Sequence, residues 1–137
     1  LVYDKAGRID KYVTNKESLL ASGNPNMDPV RSGMSEAIEN ISLGSRDSKL
    51  VKKRLLIELA SMDGAIIYSE NSLKGFGSMI QAHPNAGEAA GARTTAALSA
   101  HLYGCFPVKI STDGDITIFF TSKNRNGDSV QAELSFL

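Results

Sequence analysis

Residues 59–68 read Leu59-Ala60-Ser61-Met62-Asp63-Gly64-Ala65-Ile66-Ile67-Tyr68, and within that stretch one periodicity gives way to another. Upstream of the Asp-Gly pair, Val51, Leu55, Leu59 and Met62 recur at helical spacing, while Lys52, Lys53, Arg54 and Glu58 fall off the stripe. This predicts a helix over Leu50–Met62, with Ser45–Ser48 supplying N-cap residues. Asp63-Gly64 is a turn dipeptide. After it, Ala65-Ile66-Ile67-Tyr68 is a short apolar, β-branched run of the kind that forms a buried strand. Polar Ser69–Ser72 and a second run, Leu73–Ile80, complete a helix, a tight turn and a hairpin. Gly75 and Gly77 remove side chains from the second strand, which predicts a bulge or the close approach of a ligand or another backbone.

Downstream, the loop His83–Ala90 leads to a helix starting near Gly91, where Ala92, Ala96, Ala100 and Tyr103 share a face small enough to lie close to a sheet. Gly104 stops it. Phe106, Val108 and Ile110 then alternate with Pro107 and Lys109, Asp113-Gly114 makes a turn, and Ile116, Ile118 and Phe120 alternate with Thr117 and Phe119. A second turn at Asn126-Gly127-Asp128 precedes the alternation of Val130, Ala132, Leu134 and Phe136, so the last third reads as a three-stranded antiparallel meander. Upstream, Leu1–Tyr3 and Ile9–Val13 flank Asp4-Lys5-Ala6-Gly7 and predict a small hairpin. Residues 22–29 are dense in turn formers, and Met34, Ala37, Ile38 and Ile41 recur on one face of a short helix that Gly44 ends. The sum is an α/β or α+β domain with a mixed central sheet of at least five strands, helices on its faces and a C-terminal antiparallel meander.

Composition narrows the function. The 137 residues carry 15 basic and 15 acidic side chains, no Trp and one Cys. Balanced charge gives no electrostatic basis for sequence-independent binding to DNA, RNA or an acidic membrane. No apolar run approaches the roughly 20 residues that span a bilayer, and Leu1-Val2-Tyr3-Asp4 lacks the layout of a signal peptide. A cytoplasmic protein with no nucleic-acid partner and no membrane insertion is expected, and the lone Cys105 fits a reducing compartment. An opening on Leu1 rather than Met predicts a piece of a longer protein, whose neighbouring domain would carry the output.

Phosphate loops, Gly-x-Ser-x-Gly elbows, His-Glu-x-x-His zinc helices and Cys-x-x-Cys pairs are absent. His83 and His101 are far apart and without a nearby Cys, which favours structural roles, and Cys105 beside Phe106 reads as core. Two places have the chemistry of a nucleotide site. Asp63-Gly64-Ala65 puts a carboxylate at a turn where it could hold a metal or polarise a hydroxyl, although Asp-Gly also serves plain turns. Gly87–Thr95 opens a helix with free backbone N–H groups, the hydroxyls of Thr94 and Thr95 and the Arg93 guanidinium, which suits phosphate and equally a capped helix start.

Together and in this order, the two motifs resemble the diadenylate cyclase domain, which also forms the N-terminus of the DNA-integrity scanning protein. The resemblance spans residues 45–120 and rests on Met62-Asp63-Gly64-Ala65-Ile66-Ile67, on Gly75-Phe76-Gly77, on Gly91-Ala92-Arg93 followed by Ala96-Ala97, and on the closing hairpin of Pro107–Ile110 with Ile116–Phe119. In that family Asp-Gly-Ala lies by the reacting ribose hydroxyl and metal, a Gly-Thr-Arg-His-Arg motif holds the triphosphate, and two facing domains join two ATP molecules into cyclic di-AMP. The resemblance implies a nucleotide site of Asp63, Gly64, Ala65, Gly91, Ala92, Arg93, Thr94 and Thr95. It also implies a division into an N-terminal part, residues 1–44, belonging or appended to a nucleotide-binding domain over residues 45–137.

Where the family has Thr-Arg-His-Arg, this chain has Ala92-Arg93-Thr94-Thr95, without the imidazole and the second guanidinium. Each lost charge-assisted hydrogen bond removes about 1.5–3 kcal/mol. The resemblance therefore implies a degenerate, sensor-type relative that binds cyclic di-AMP or ATP within a larger signalling protein. The alternative it implies is an active cyclase with Asp63 catalytic and bound to Mg²⁺ or Mn²⁺, acting as a homodimer. A third reading keeps the fold as a protein-interaction module, with contact through an apolar face or the edge of the meander.

Overall fold

Val2 and Tyr3 occupy the middle of the sheet. The computed structural model describes residues 1–20, 53–54, 57–69, 72–87 and 91–136. Its strands are β1 (Val2–Tyr3), β2 (Ala65–Ser69), β3 (Ser72–Ser78), β4 (Phe106–Ile110), β5 (Ile116–Lys123) and β6 (Ser129–Phe136). They form one six-stranded sheet in the order β3-β2-β1-β4-β5-β6. β1 runs parallel to β2 and antiparallel to β4, and the remaining neighbours are antiparallel. With the helix α1 (Ala92–Leu102) packed on β4 and β5, the protein is a mixed α+β domain. Among the described residues no helix is long and apolar enough to cross a membrane.

The expected N-terminal hairpin does not form. Both edges of β1 are taken by β2 and β4, so Ile9–Val13 has no place beside it. Asp4 turns the chain away: its buried carboxylate accepts from the Ala6 N–H at 3.1 Å and from the Tyr12 hydroxyl at 2.9 Å. A 3₁₀ turn follows at Ile9–Lys11. The chain then runs along β3, with isolated bridges from Val13 to Ile80 and from Leu19 to Gly75. Asn15 ties the two together, donating to the Gly77 carbonyl at 3.0 Å. Residues 12–20 thus occupy an edge that would otherwise offer unpaired backbone.

The sheet separates two apolar clusters. On the α1 side Val2, Tyr12, Val13, Leu19, Ile67, Ala100 and Cys105 are buried together. On the other side Leu59, from the helical residues 57–61, meets Ile66, Leu73 and Phe76. Leu73 and Phe76 share a face despite their odd spacing because the β2–β3 register shifts on either side of Ile67, a bulge that resets the alternation.

The helix ending before Asp63, the β2–β3 hairpin, α1 and the meander stand where the sequence places them, with different faces buried in two cases. Ala97, Ser99 and Ala100 form the inner face of α1, and Ala92 is exposed. Ser99 is inside because its hydroxyl accepts the His83 N–H at 2.9 Å, a polar reason that apolar periodicity does not register. In β5 the buried positions are Thr117 and Phe119, and Ile116 is exposed. Met62 is exposed because the helix has already ended at residue 61. Val51, Leu55, the loop at residues 22–29 and the stripe Met34, Ala37, Ile38 and Ile41 lie outside the described residues.

Two tests follow from this packing. Gly64 has φ +102°, and a Cβ there would lie 2.4 Å from the carbonyl carbon of Gly77. Gly64→Ala is expected to cost about 2–4 kcal/mol from the left-handed backbone and the overlap together, read as a lowered urea midpoint with an unchanged slope. Burial pushes the Cys105 thiol and the Tyr12 phenol above their ordinary values, and the Tyr12 bonds to Cys105 and Asp4 push the phenol further. Above about pH 9 the unfolded chain releases protons that the folded one retains, so stability is complete below that range and falls as pH rises through it. The urea midpoint should drop between about pH 8 and pH 10.5, and by less in Tyr12→Phe.

Candidate functional site

One end of the sheet collects the residues singled out by sequence. Val2 lies level with Ile67 on β2 and with Pro107 on β4. Two residues further toward this end are Ala65 on β2 and Lys109 on β4, and beyond them come the Asp63-Gly64 turn and the β4–β5 turn. β2 and β4 are separated by two interstrand spacings, about 10 Å.

The first turn of α1 is tied to the same end. Arg93 Nη1 donates to Thr112 Oγ1 at 3.2 Å, and Lys109 Nζ donates to Thr94 Oγ1 at 3.4 Å. The Thr95 hydroxyl and N–H both turn back onto the Gly91 carbonyl, at 3.2 and 3.0 Å. Gly91 begins the helix with φ +97° and no side-chain cap, and a Cβ there would meet nothing within 4 Å. The first turn is exposed at Gly91, Ala92 and Arg93 and carries a guanidinium, with the Lys109 ammonium bonded to its Thr94, an arrangement suited to an anion. The guanidinium has five N–H donors and the ammonium three, so one bond apiece to a threonine leaves most of their capacity for a ligand.

Gly91, Ala92 and Arg93 are exposed, and Thr94 and Thr95 half-buried. Asp63 and Gly64 are exposed and Ala65 half-buried, paired with Ser78. Among the described residues no hydrogen bond joins Asp63 to α1 or β4. The Asp63-Gly64 turn and the α1 start thus share a sheet end without a hydrogen bond between them. A Cβ at Gly64 would run into the Gly77 backbone, Gly77 itself has φ +62°, and a Cβ at Gly75 would stand 2.8 Å from the Ser78 hydroxyl and 3.0 Å from the Ser18 carbonyl. The close approach expected at Gly75 is that of the chain itself, the Ser78 hydroxyl and the Ser18 backbone.

Lys109 and Thr112 were not singled out in the sequence. Lys109 reads there as a polar residue alternating with Val108 and Ile110; only the α1–β4 packing turns it toward Thr94. His83 accepts from the Asn85 N–H at 3.1 Å and sits edge-on to Tyr103, and His101 bonds Thr121. Among the described residues no three His, Cys, Asp or Glu side chains gather as a metal site. Comparison with protein-family models, with curated proteins and with solved structures finds no match for this chain.

Inorganic pyrophosphate should raise the melting temperature of the chain, by about 2.7 kcal/mol of added stability at one hundred times its dissociation constant. Arg93→Ala and Lys109→Ala should each weaken that effect roughly tenfold or more, while His101→Ala leaves it intact. A thermal-shift titration measures all three.

Proposed function

We propose that this chain is a nucleotide-binding sensor domain that takes an adenine nucleotide, cyclic di-AMP or ATP, at the sheet end carrying Asp63, the start of α1 and Lys109. The observation that supports it is the pairing of two cations, Arg93 and Lys109, with the uncapped first turn of α1. Two positive charges match the two phosphodiester charges of cyclic di-AMP more closely than the higher charge of ATP, so the cyclic dinucleotide is the favoured ligand. Thr94 and Thr112 would hand their cations to the phosphates and then bond phosphate oxygens themselves. A neighbouring domain would receive the change of state.

A second reading, an active diadenylate cyclase, draws on Asp63 lying at this same end. One carboxylate with phosphate oxygens is an ordinary Mg²⁺ or Mn²⁺ environment, and the ion would supply Lewis-acid activation of the ribose hydroxyl. Asp63 would hold that ion, Arg93 and Lys109 would neutralise phosphate charge, and a second chain would have to present its own ATP face to face.

Calorimetric titration with cyclic di-AMP and with ATP separates these readings when joined to a product assay with ATP and Mg²⁺ or Mn²⁺. The sensor reading expects saturable binding of cyclic di-AMP, at least tenfold weaker in Arg93→Ala, and no cyclic di-AMP formed. Product that disappears in Asp63→Asn would instead make the chain an enzyme. Absence of binding by either nucleotide would end both readings.

A further inference from the structure

Ser129, Gln131, Glu133 and Ser135 turn their backbone N–H and C=O groups away from β5. The Asn124 N–H donates to the Asp128 carbonyl at 2.9 Å, and the β5–β6 register then runs without a shift from Lys123–Ser129 to Ile116–Phe136. Bonded and non-bonded pairs alternate along such a ladder. Val130, Ala132, Leu134 and Phe136 therefore use their backbone groups on β5, and the residues between them point theirs outward. β6 ends the sheet order, so among the described residues these outward groups have no strand beside them.

Nothing in β6 obstructs pairing at that edge. Ser129–Phe136 contains no Pro, Gly or Lys and no bulge, the devices by which strands are kept from adding to one another. The opposite edge of the sheet is different. There residues 12–20 lie along β3, with the Thr14 N–H on the Met79 carbonyl at 2.9 Å and the Leu20 N–H on the Lys74 carbonyl at 2.8 Å. A contact made through β6 thus uses the open edge of each sheet, so a two-fold pairing closes on itself and does not propagate into a fibre.

We propose that β6 pairs antiparallel with β6 of a second copy of this chain, about a two-fold axis at Ala132. The strand is complementary to itself in that register. Outward groups meet outward groups, with Gln131 opposite the second copy's Glu133 and Ser129 opposite its Ser135. Across the axis the Gln131 amide donates to the Glu133 carboxylate. Val130 and Leu134, 39% and 49% exposed, face each other in non-hydrogen-bonded pairs, where side chains are closest. Centring the axis on Glu133 instead would oppose two carboxylates. With 15 basic and 15 acidic side chains, two copies meet without net repulsion. α1 packs on β4 and β5, one and two strands in from the edge. The two candidate anion sites fall at opposite ends of the joined sheet, so the pairing stands apart from either nucleotide reading.

The test is sedimentation velocity on the full chain over about a hundredfold range of concentration, joined to cysteine crosslinking. A monomer–dimer equilibrium is expected. Gln131→Glu, which sets like charges opposite each other twice about the axis, should weaken it roughly tenfold, and Gln131→Lys should strengthen it. Ala132→Cys should form a disulfide between chains on mild oxidation, because a non-hydrogen-bonded pair holds its Cα atoms about 4.5 Å apart, within disulfide reach. Ser135→Cys alone should form none, since its two copies lie about 20 Å apart along the strands, while Ser129→Cys mixed with Ser135→Cys should crosslink. A chain that stays monomeric throughout, a dimer indifferent to both Gln131 variants, or crosslinking through Ser135→Cys as complete as through Ala132→Cys would overturn the proposal.

Discussion

The backbone of Val2 and Tyr3 is bonded on both sides, and those two residues make one sheet of two units that would otherwise be separate. On one side stands the β2–β3 hairpin, on the other the β4–β5–β6 meander; among the described strands β1 is the one hydrogen-bonded to both. The joint is extended by the Asp4 N–H on the Tyr68 carbonyl at 2.8 Å and the Val108 N–H on the Leu1 carbonyl at 2.7 Å. It is locked from the α1 side by Val2 packing with Ile67, Tyr12 and Ala100. So short a strand has little cooperativity of its own, and beside this packing the buried Asp4–Tyr12 bond holds the point where the chain turns. Breaking a buried bond of this kind leaves an acceptor unsatisfied and costs about 1–3 kcal/mol.

The candidate site depends on the same joint. Asp63 is carried by the hairpin unit, Lys109 and Thr112 by the meander unit, and Arg93 by α1, which packs on the meander. Only the register set through β1 brings the Asp63 turn level with the end of β4. A shift of one residue in either pairing would turn every inward side chain of that unit outward, so the geometry of the site and the burial of the core are held by one constraint.

The parts of this arrangement legible in the sequence are those whose signal is local. The turn at Asp63-Gly64, the strand Ala65–Ser69, the start of α1 after Gly91 and the two turns of the meander each follow from a few adjacent residues. The misread parts depend on distant partners. Val2-Tyr3 looks like one arm of a hairpin until the sheet takes both its edges. Ser99 looks like the polar side of a helix until His83 supplies a donor. Lys109 looks like solvent-facing alternation until α1 lies across β4. Gly75 and Gly77 predict a bulge or a close approach, and the fold shows a shift of the β2–β3 register on either side of Ile67 together with the Ser78 hydroxyl and Ser18 carbonyl against Gly75.

Lys109 also changes what the α1 start can do. From the sequence, Arg93 is the one cation at the α1 start, flanked by the hydroxyls of Thr94 and Thr95. In the fold a second cation, Lys109, arrives from β4 and rests on the Thr94 hydroxyl, at 3.4 Å. Removing charge from a helix start while supplying it from a neighbouring strand preserves attraction for an anion but moves its centre away from the first turn and toward the sheet. An anion held between α1 and β4 is gripped by two elements that pack on each other, so binding would tighten their contact. Under the proposed reading such an arrangement suits recognition, which needs only that the bound charge be neutralised, whereas catalysis needs donors aimed at the charge that develops in the transition state.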